Sequence, residues 1–365
     1  MNPSKRPRLL HALLLTALLA CNAWGMTPKT ESLDDYHTRL NWFAQAQYGM
    51  FIHFGLYSQL GGEWKGEQVG GYSEWIQAHK SIPREVYADL IKGFNPTAFD
   101  ADFIVQTAKQ AGMTYLVITA KHHEGFCLWD SEYTEFDVAN SPFARRDILA
   151  ELRKACKQHG IRFGLYYSII DWHHASQAPR MAQTDAFQRW GQTVMLDGKK
   201  QDYITYQTQQ VLELIKRYDP AILWFDGDWT DWWTMQDGLR LYATIRKASP
   251  DIIVNNRVAK RDHFQLDYVT QEQMHFEDSF PRHWEACYTL NESWGHKKHD
   301  HEWKRAETVY AKLKDINQKG GNLLLNVGPD GNGQVQPEAI SVLREVGEML
   351  RSHPIQKHVP TTVNP

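Results

Sequence analysis

The stretch Ala221-Ile222-Leu223-Trp224-Phe225-Asp226-Gly227 runs through four bulky apolar residues and stops at a carboxylate. An unbroken apolar run of this length reads as a strand buried on both faces, as in a parallel sheet. Asp226 then stands where the strand ends and its loop begins, the place where (β/α)8 barrels keep their reactive groups. A lone loop Asp is most often only solvated. Here Trp224, Trp229, Trp232 and Trp233 surround it, and the C–H faces of a pyranose stack on indoles, so the reading moves toward a sugar site. Cleaving a glycosidic bond takes two carboxylates, one at the anomeric carbon or its water and one protonating the leaving oxygen. Asp226 is the fixed member. The second is sought downstream among Glu272, Glu277, Asp278, Glu285 and Glu292. Glu272 follows Leu266-Asp267-Tyr268-Val269-Thr270, a plausible strand end. Glu285, beside Trp284, is the runner-up, because a desolvated Glu has a raised pKa.

The elements that would carry these groups alternate strand and helix. Tyr48 to Gly55 reads as the first strand, Met113 to Thr119 as the next, then Ile161 to Ser168, the Asp226 strand, Asp251 to Asn255 and Asn322 to Val327. Helical patterns lie at 100–111, after Asp147 as a cap, before Tyr218, at 303–318 and from Glu338 to Arg351. This order predicts a parallel sheet with crossover helices, closed into a (β/α)8-like barrel. His53, His122, His123, Tyr167, Trp224, Asp226 and Arg257 each end a predicted strand, so a barrel brings them to one mouth. The polar segment 171–200 reads as a lid or a subunit contact.

Paired His122 and His123 raise a metal site as a rival, but no His-x-His or His-Glu-x-x-His spacing accompanies them. His296, His299 and His301 lie among Lys297, Lys298 and acids and read as a solvated face. No Lys-Ser/Thr follows the Gly-rich turn at 328–333, so it is no phosphate loop, and no Gly-x-Ser-x-Gly elbow occurs. No cofactor or metal is expected. The net charge of −3 becomes −6 without Lys5, Arg6 and Arg8, and a mildly acidic chain without basic blocks is no partner for nucleic acid.

Residues 1–25 read as a secretory signal: Lys5-Arg6-Pro7-Arg8, the apolar Leu9 to Ala20, and a small-x-small site at Ala23-Trp24-Gly25. The expectation is an exported chain, periplasmic or secreted. Leu18-Leu19-Ala20-Cys21 also fits a lipoprotein box, so a membrane anchor through Cys21 is the alternative. Residues 26–352 form the catalytic barrel and 353–365 a disordered tail. Cys127, Cys156 and Cys287 remain, an odd number with no disulfide framework.

On these residues the chain resembles the α-L-fucosidases of glycoside hydrolase family 29. The matching pieces run in order over about residues 36–351: Trp42-Phe43 through His53-Phe54-Gly55, Glu74-Trp75, Lys121-His122-His123-Glu124-Gly125-Phe126, Tyr166-Tyr167-Ser168, Leu223 to Gly227, Asn255-Asn256-Arg257, Trp284-Glu285, Ser293-Trp294-Gly295, and Asn322 to Pro329. The resemblance implies a barrel and retaining exo-hydrolysis of terminal α-L-fucose from fucosylated oligosaccharides or glycoconjugates. It puts the nucleophile on Asp226, and a Thr-x-Glu after the Asn-x-Arg motif puts the acid/base on Glu272. It puts sugar binding on His53, Glu74, Trp75, His122, His123, Tyr167, Trp224 and Arg257, with Trp294 near the fucose methyl group. Many members continue into a C-terminal β-sandwich, which is not expected here. The alternatives are a transfucosidase, an inactive fucose-binding barrel and a metal-dependent hydrolase.

Overall fold

Eight parallel strands carry the molecule, as seen in a computed structural model that describes residues 31–180, 191–262 and 266–359. They are β1 (Tyr48–Ile52), β2 (Tyr115–Lys121), β3 (Arg162–Ser168), β4 (Ile222–Asp226), β5 (Ile253–Val254), β6 (Val269–Glu272), β7 (Trp284–Thr289) and β8 (Asn322–Val327). Each pairs with the next in sequence, and β8 pairs with β1 through Tyr48 opposite Leu323. Seven of these pairings are ladders. The eighth, between β5 and β6, is a single bridge from Asn255 to Tyr268, which turns a curled sheet into a (β/α)8-like barrel.

Side chains do the work of a ladder at that seam. Asn256 N–H donates to the Tyr268 carbonyl at 3.0 Å, and Asn256 Oδ1 accepts from Thr270 N–H at 3.0 Å and Thr270 Oγ1 at 2.9 Å. The Asp267 carboxylate accepts from Val254 N–H at 2.8 Å and Arg39 Nη2 at 2.9 Å. On the other side of β5, the Asn255 amide continues the β4 ladder by exchanging both its bonds with the Phe225 backbone. A side-chain amide has the donor and acceptor of a peptide group, so it can stand in for one.

The crossovers are α1 (Leu33–Gln45, before β1), α2 (Ala101–Gln110), α3 (Ile148–His159), α4 (Lys200–Tyr218), α5 (Met235–Ala248), α6 (Ala306–Gln318) and α7 (Pro337–Ser352). Asp147 caps α3 as expected, accepting from Ala150 N–H at 2.9 Å, and Gly160 ends it in the left-handed region at φ 72°. Strict alternation was expected, but among the described residues no α-helix joins β5 to β6 or β6 to β7. Three elements of the barrel itself lie outside the patterns expected from the sequence. Helix α5 opens on a Thr234/Asp237 capping box with Leu241 and Ile245 as its buried stripe. Strand β7 has a Glu in its apolar run. In α1, the buried Tyr36, Leu40 and Phe43 close the bottom of the barrel, packing among Phe51, Tyr115, Trp224, Tyr268 and Leu324.

The segment after Ser352 was expected to be disordered, yet residues 353–359 are docked. Gln47 donates to the Ile355 carbonyl at 2.8 Å, His358 N–H to the Asn317 carbonyl at 3.0 Å, and Lys357 Nζ to the Ala46 carbonyl and to Asn322 Oδ1. The signal-like residues 1–25, with Cys21, lie outside the described residues, as does 181–190 of the expected lid. The rest of that segment folds into a two-stranded hairpin, Gln177–Pro179 with Thr193–Met195. Among the described residues no β-sandwich is present, Cys127, Cys156 and Cys287 are free thiols, and no helix is long and apolar enough to cross a membrane.

Candidate active site

Strand alternation decides which side chains reach the interior. In parallel register Ser168 lies opposite Asp226, Tyr166 opposite Trp224 and Tyr167 opposite Phe225. Residues level with each other in adjacent strands share a face. Tyr166, Ser168, Trp224 and Asp226 therefore point inward, and Tyr167 and Phe225 point to the helices. At the end of β2 the register slips between Thr119 and Lys121. The irregularity sends Lys121 outward to a buried ion pair with Asp171 at 2.8 Å and leaves both His122 and His123 at the mouth.

The mouth holds a narrow cavity that opens to solvent on one side. Its wall includes His53, Glu74, Trp75, His122, His123, Trp224, Asp226, Arg257, Glu272 and Trp294, all expected there, and also Phe51, Tyr72, Tyr166, Trp229 and Cys287. Tyr167 is not among them. Its hydroxyl donates to Gln210 on α4 at 2.7 Å and its ring lies under Lys121 Nζ, so the expected place at the mouth is taken by Tyr166 instead. Tyr166 is found through the register, which sets it opposite the inward-facing Trp224.

Asp226 is the electrostatic centre. Its Oδ1 accepts from Arg257 Nη1 at 2.8 Å and Arg261 Nη2 at 3.2 Å, and its Oδ2 from the Tyr166 hydroxyl at 3.3 Å. Burial pushes this carboxyl up, but Arg257 and Arg261, with a contribution from His123, outweigh it and hold the group below the ordinary carboxylate range. Arg257 also donates Nη1 to Glu272 at 2.9 Å and Nε to Thr270 at 2.8 Å, and stacks over Trp224. It was expected on sugar hydroxyls, whereas these bonds make it the link between two carboxylates. The Asp226 and Glu272 oxygens thus lie within two hydrogen-bond lengths of each other, compatible with the roughly 5–5.5 Å of a retaining pair.

Glu285 sits one layer deeper. Tyr115 donates to it at 2.6 Å and Trp224 Nε1 at 2.9 Å. Fully buried, it does not reach the cavity, and desolvation lifts its carboxyl to about 7.

The histidines are neutral acceptors. Asn326 Nδ2 donates to the Trp294 carbonyl, which leaves its Oδ1 to accept from His53 Nδ1–H at 2.6 Å. Ser168 gives its proton to the Ile170 carbonyl, so Ser168 Oγ accepts from His123 Nδ1–H at 2.6 Å. Both rings therefore present an Nε2 lone pair. Burial lowers His53 to about 3 and His123 to about 4, and holds His122 well below its usual range. Burial lifts Glu74 to about 7, against bonds from Gly295 N–H and Ser293, and its Oε1 has no partner among the described residues. Trp75 and Trp229 stack 6.1 Å apart as an aromatic wall. Lone-pair histidines and an unpartnered carboxyl oxygen match sugar hydroxyls, and indoles match the apolar ring face. Among the described residues no three His, Cys, Asp or Glu side chains are grouped as a metal site.

A parallel barrel with a carboxyl pair and an aromatic wall at its mouth is the arrangement of a glycoside hydrolase. The chain belongs to the α-L-fucosidase family, whose model matches residues 15–354. It is 30% identical to human plasma α-L-fucosidase, over 96% of this chain and 77% of that one, and 28% identical to a Caenorhabditis elegans putative α-L-fucosidase, over 94% and 70%. Its fold is similar to α-L-fucosidase AlfC from Lactobacillus casei in complex with α-L-fucose, with a TM-score of 0.77 and 33% identity, covering 86% of this chain and 98% of that one. The family releases fucose by hydrolysis.

Proposed function

We propose that the enzyme releases terminal α-L-fucose with net retention, Asp226 acting as nucleophile and Glu272 as acid/base. The observation that carries this reading is the shared guanidinium of Arg257, which joins an enclosed, ionised Asp226 to a half-exposed Glu272. The enclosed group meets the anomeric carbon, and the outer one meets the leaving oxygen and later the incoming water. His53, His123 and Glu74 take the fucose hydroxyls, His122 lines the same wall, and Trp294 meets the methyl group. A site built on hydroxyls rejects analogues that lack them, because its own groups are left unpaired. Fucosylated oligosaccharides or glycoconjugates are the substrates. The N-terminal residues support export to the periplasm or medium, with membrane attachment only if Cys21 is acylated.

Asp226→Gly should lower turnover by several orders of magnitude without loss of fold. Azide should restore part of the activity on an aryl fucoside and yield a β-fucosyl azide. Normal turnover by that variant without azide rejects the assignment. A second reading, transfer to sugar acceptors, is favoured by variants of the L. casei enzyme described as fucosyltransferase mutants. It uses the same residues and differs only in which acceptor meets the fucosyl-enzyme.

A further inference from the structure

The two oxygens of Asp226 are held unequally. Oδ1 takes both guanidinium contacts, from Arg257 and Arg261, while Oδ2 has, among the described residues, only the Tyr166 hydroxyl at 3.3 Å, with His123 Nε2 beyond bonding distance at 3.7 Å. Arg261 is itself anchored. Its Nε reaches Asp228 at 3.0 Å, its Nη2 reaches the same carboxylate, and its backbone N–H donates there at 3.1 Å. Asp228 is buried, and the Arg261 guanidinium lies over the Trp229 ring. Lys260 fastens the same turn to the carbonyls of Asp228 and Thr230. The loop after β5 is thereby riveted to the loop after β4, with a second cation on the nucleophile.

We infer that Arg261 is a positioning residue that reserves Asp226 Oδ2 for attack and stabilises the carboxylate as it leaves the fucosyl-enzyme. The inference rests on the retaining reading above. In the first step Oδ2 bonds to the anomeric carbon. The bond to the aglycone oxygen breaks with its electron pair, and that oxygen takes the proton of Glu272. In the second step water bonds to the anomeric carbon and gives a proton to Glu272. The C–Oδ2 bond then breaks, and its pair returns to Asp226 as carboxylate charge shared with Oδ1. Two guanidiniums on Oδ1 favour that return, so the second step gains most from Arg261.

The groups facing Asp226 define what a pH profile reads. They are His53 from β1, His123 after β2, Tyr166 on β3 and Glu272 on β6, besides Arg257, Asp228 and Arg261. Of the cations, only Arg257 would remain beside Oδ1 in Arg261→Gln.

With 4-nitrophenyl α-L-fucoside, Arg261→Gln is expected to lower kcat about ten- to hundredfold, with KM falling alongside it. A burst of nitrophenol equal to the enzyme concentration should appear, and intact mass should show enzyme carrying one fucosyl group. The acid limb of kcat/KM should move to higher pH. Arg261→Lys, which keeps the charge, should recover part of kcat and shrink the burst. An unchanged acid limb with no burst in folded Arg261→Gln overturns the inference. A second measurement needs no variant: a structure of the wild-type enzyme trapped with a 2-fluoro-fucosyl donor. The ester should be on Oδ2 with Arg261 still on Oδ1, and an ester on Oδ1 or an Arg261 turned away overturns the inference. If no ester forms on Asp226 at all, it is the retaining reading that fails.

Discussion

Asp226 and Glu285 are both carboxyls on the inner face of one barrel, one layer apart, and Trp224 separates them. Burial alone would lift both. Asp226 meets two guanidiniums and stays ionised. Glu285 meets a phenol and an indole N–H, neutral donors that do not offset its desolvation, and rises to about 7. A buried carboxyl thus stays ionised or keeps its proton according to whether its neighbours are cations or neutral donors. A raised pKa, the property that recommended Glu285 as an acid/base, here marks a core residue.

The widest separation between these layers should appear in kinetics. Glu272→Ala is expected to slow cleavage of natural fucosides by about 10²–10⁴-fold while aryl fucosides with acidic leaving groups still form the fucosyl-enzyme. Glu285→Gln should show no such leaving-group dependence. Rate constants plotted against leaving-group pKa check both, and the reverse pattern exchanges the two roles.

The same contrast holds across β3. Tyr166→Phe removes the hydroxyl that donates to Asp226 Oδ2 and is expected to cost roughly tenfold in kcat/KM for aryl fucosides. Tyr167→Phe should leave the kinetic constants unchanged and lower unfolding stability by about 1 kcal/mol, the worth of its bond to Gln210. Equal losses of activity would return Tyr167 to the sugar site.

The smallest effect is thermodynamic. The folded Glu285 holds its proton up to about 7, above the ordinary 4.5. Its contribution to stability is complete below about pH 4.5, declines as pH rises through that window and is gone above about 7. Glutamine keeps the neutral form throughout, so Glu285→Gln should gain roughly 1–3 kcal/mol on wild type at pH 8 and nothing at pH 4.5. Glu74 and Glu124 are raised for the same reason, so the difference between the two proteins, measured by denaturant melts, isolates Glu285.

Much of the site was legible because strand ends are. The apolar run to Asp226, the His122-His123 pair and Asn255-Asn256-Arg257 each close a strand, and closure of the sheet does the rest. Tyr166 was hidden because two tyrosines stand side by side and only the pairing of β3 with β4 decides their faces. Arg261 was hidden because its role comes from a contact between two loops, to which no periodicity applies. Strand β7 was hidden because Glu285 breaks its apolar pattern, and that Glu is satisfied only by partners from β2 and β4.

The β5–β6 junction has a consequence for how the enzyme fails. Every other pair of neighbouring strands is zipped by a ladder, whereas here one bridge and a few side chains hold the edge. Arg257 stands on one lip of that junction and Glu272 on the other. Local opening generally costs less than global unfolding. A parting at this edge would draw Glu272 away from Asp226 while the remaining strands and their helices stayed assembled. Loss of activity on warming and loss of the fold are then two events, and the first belongs to a single joint.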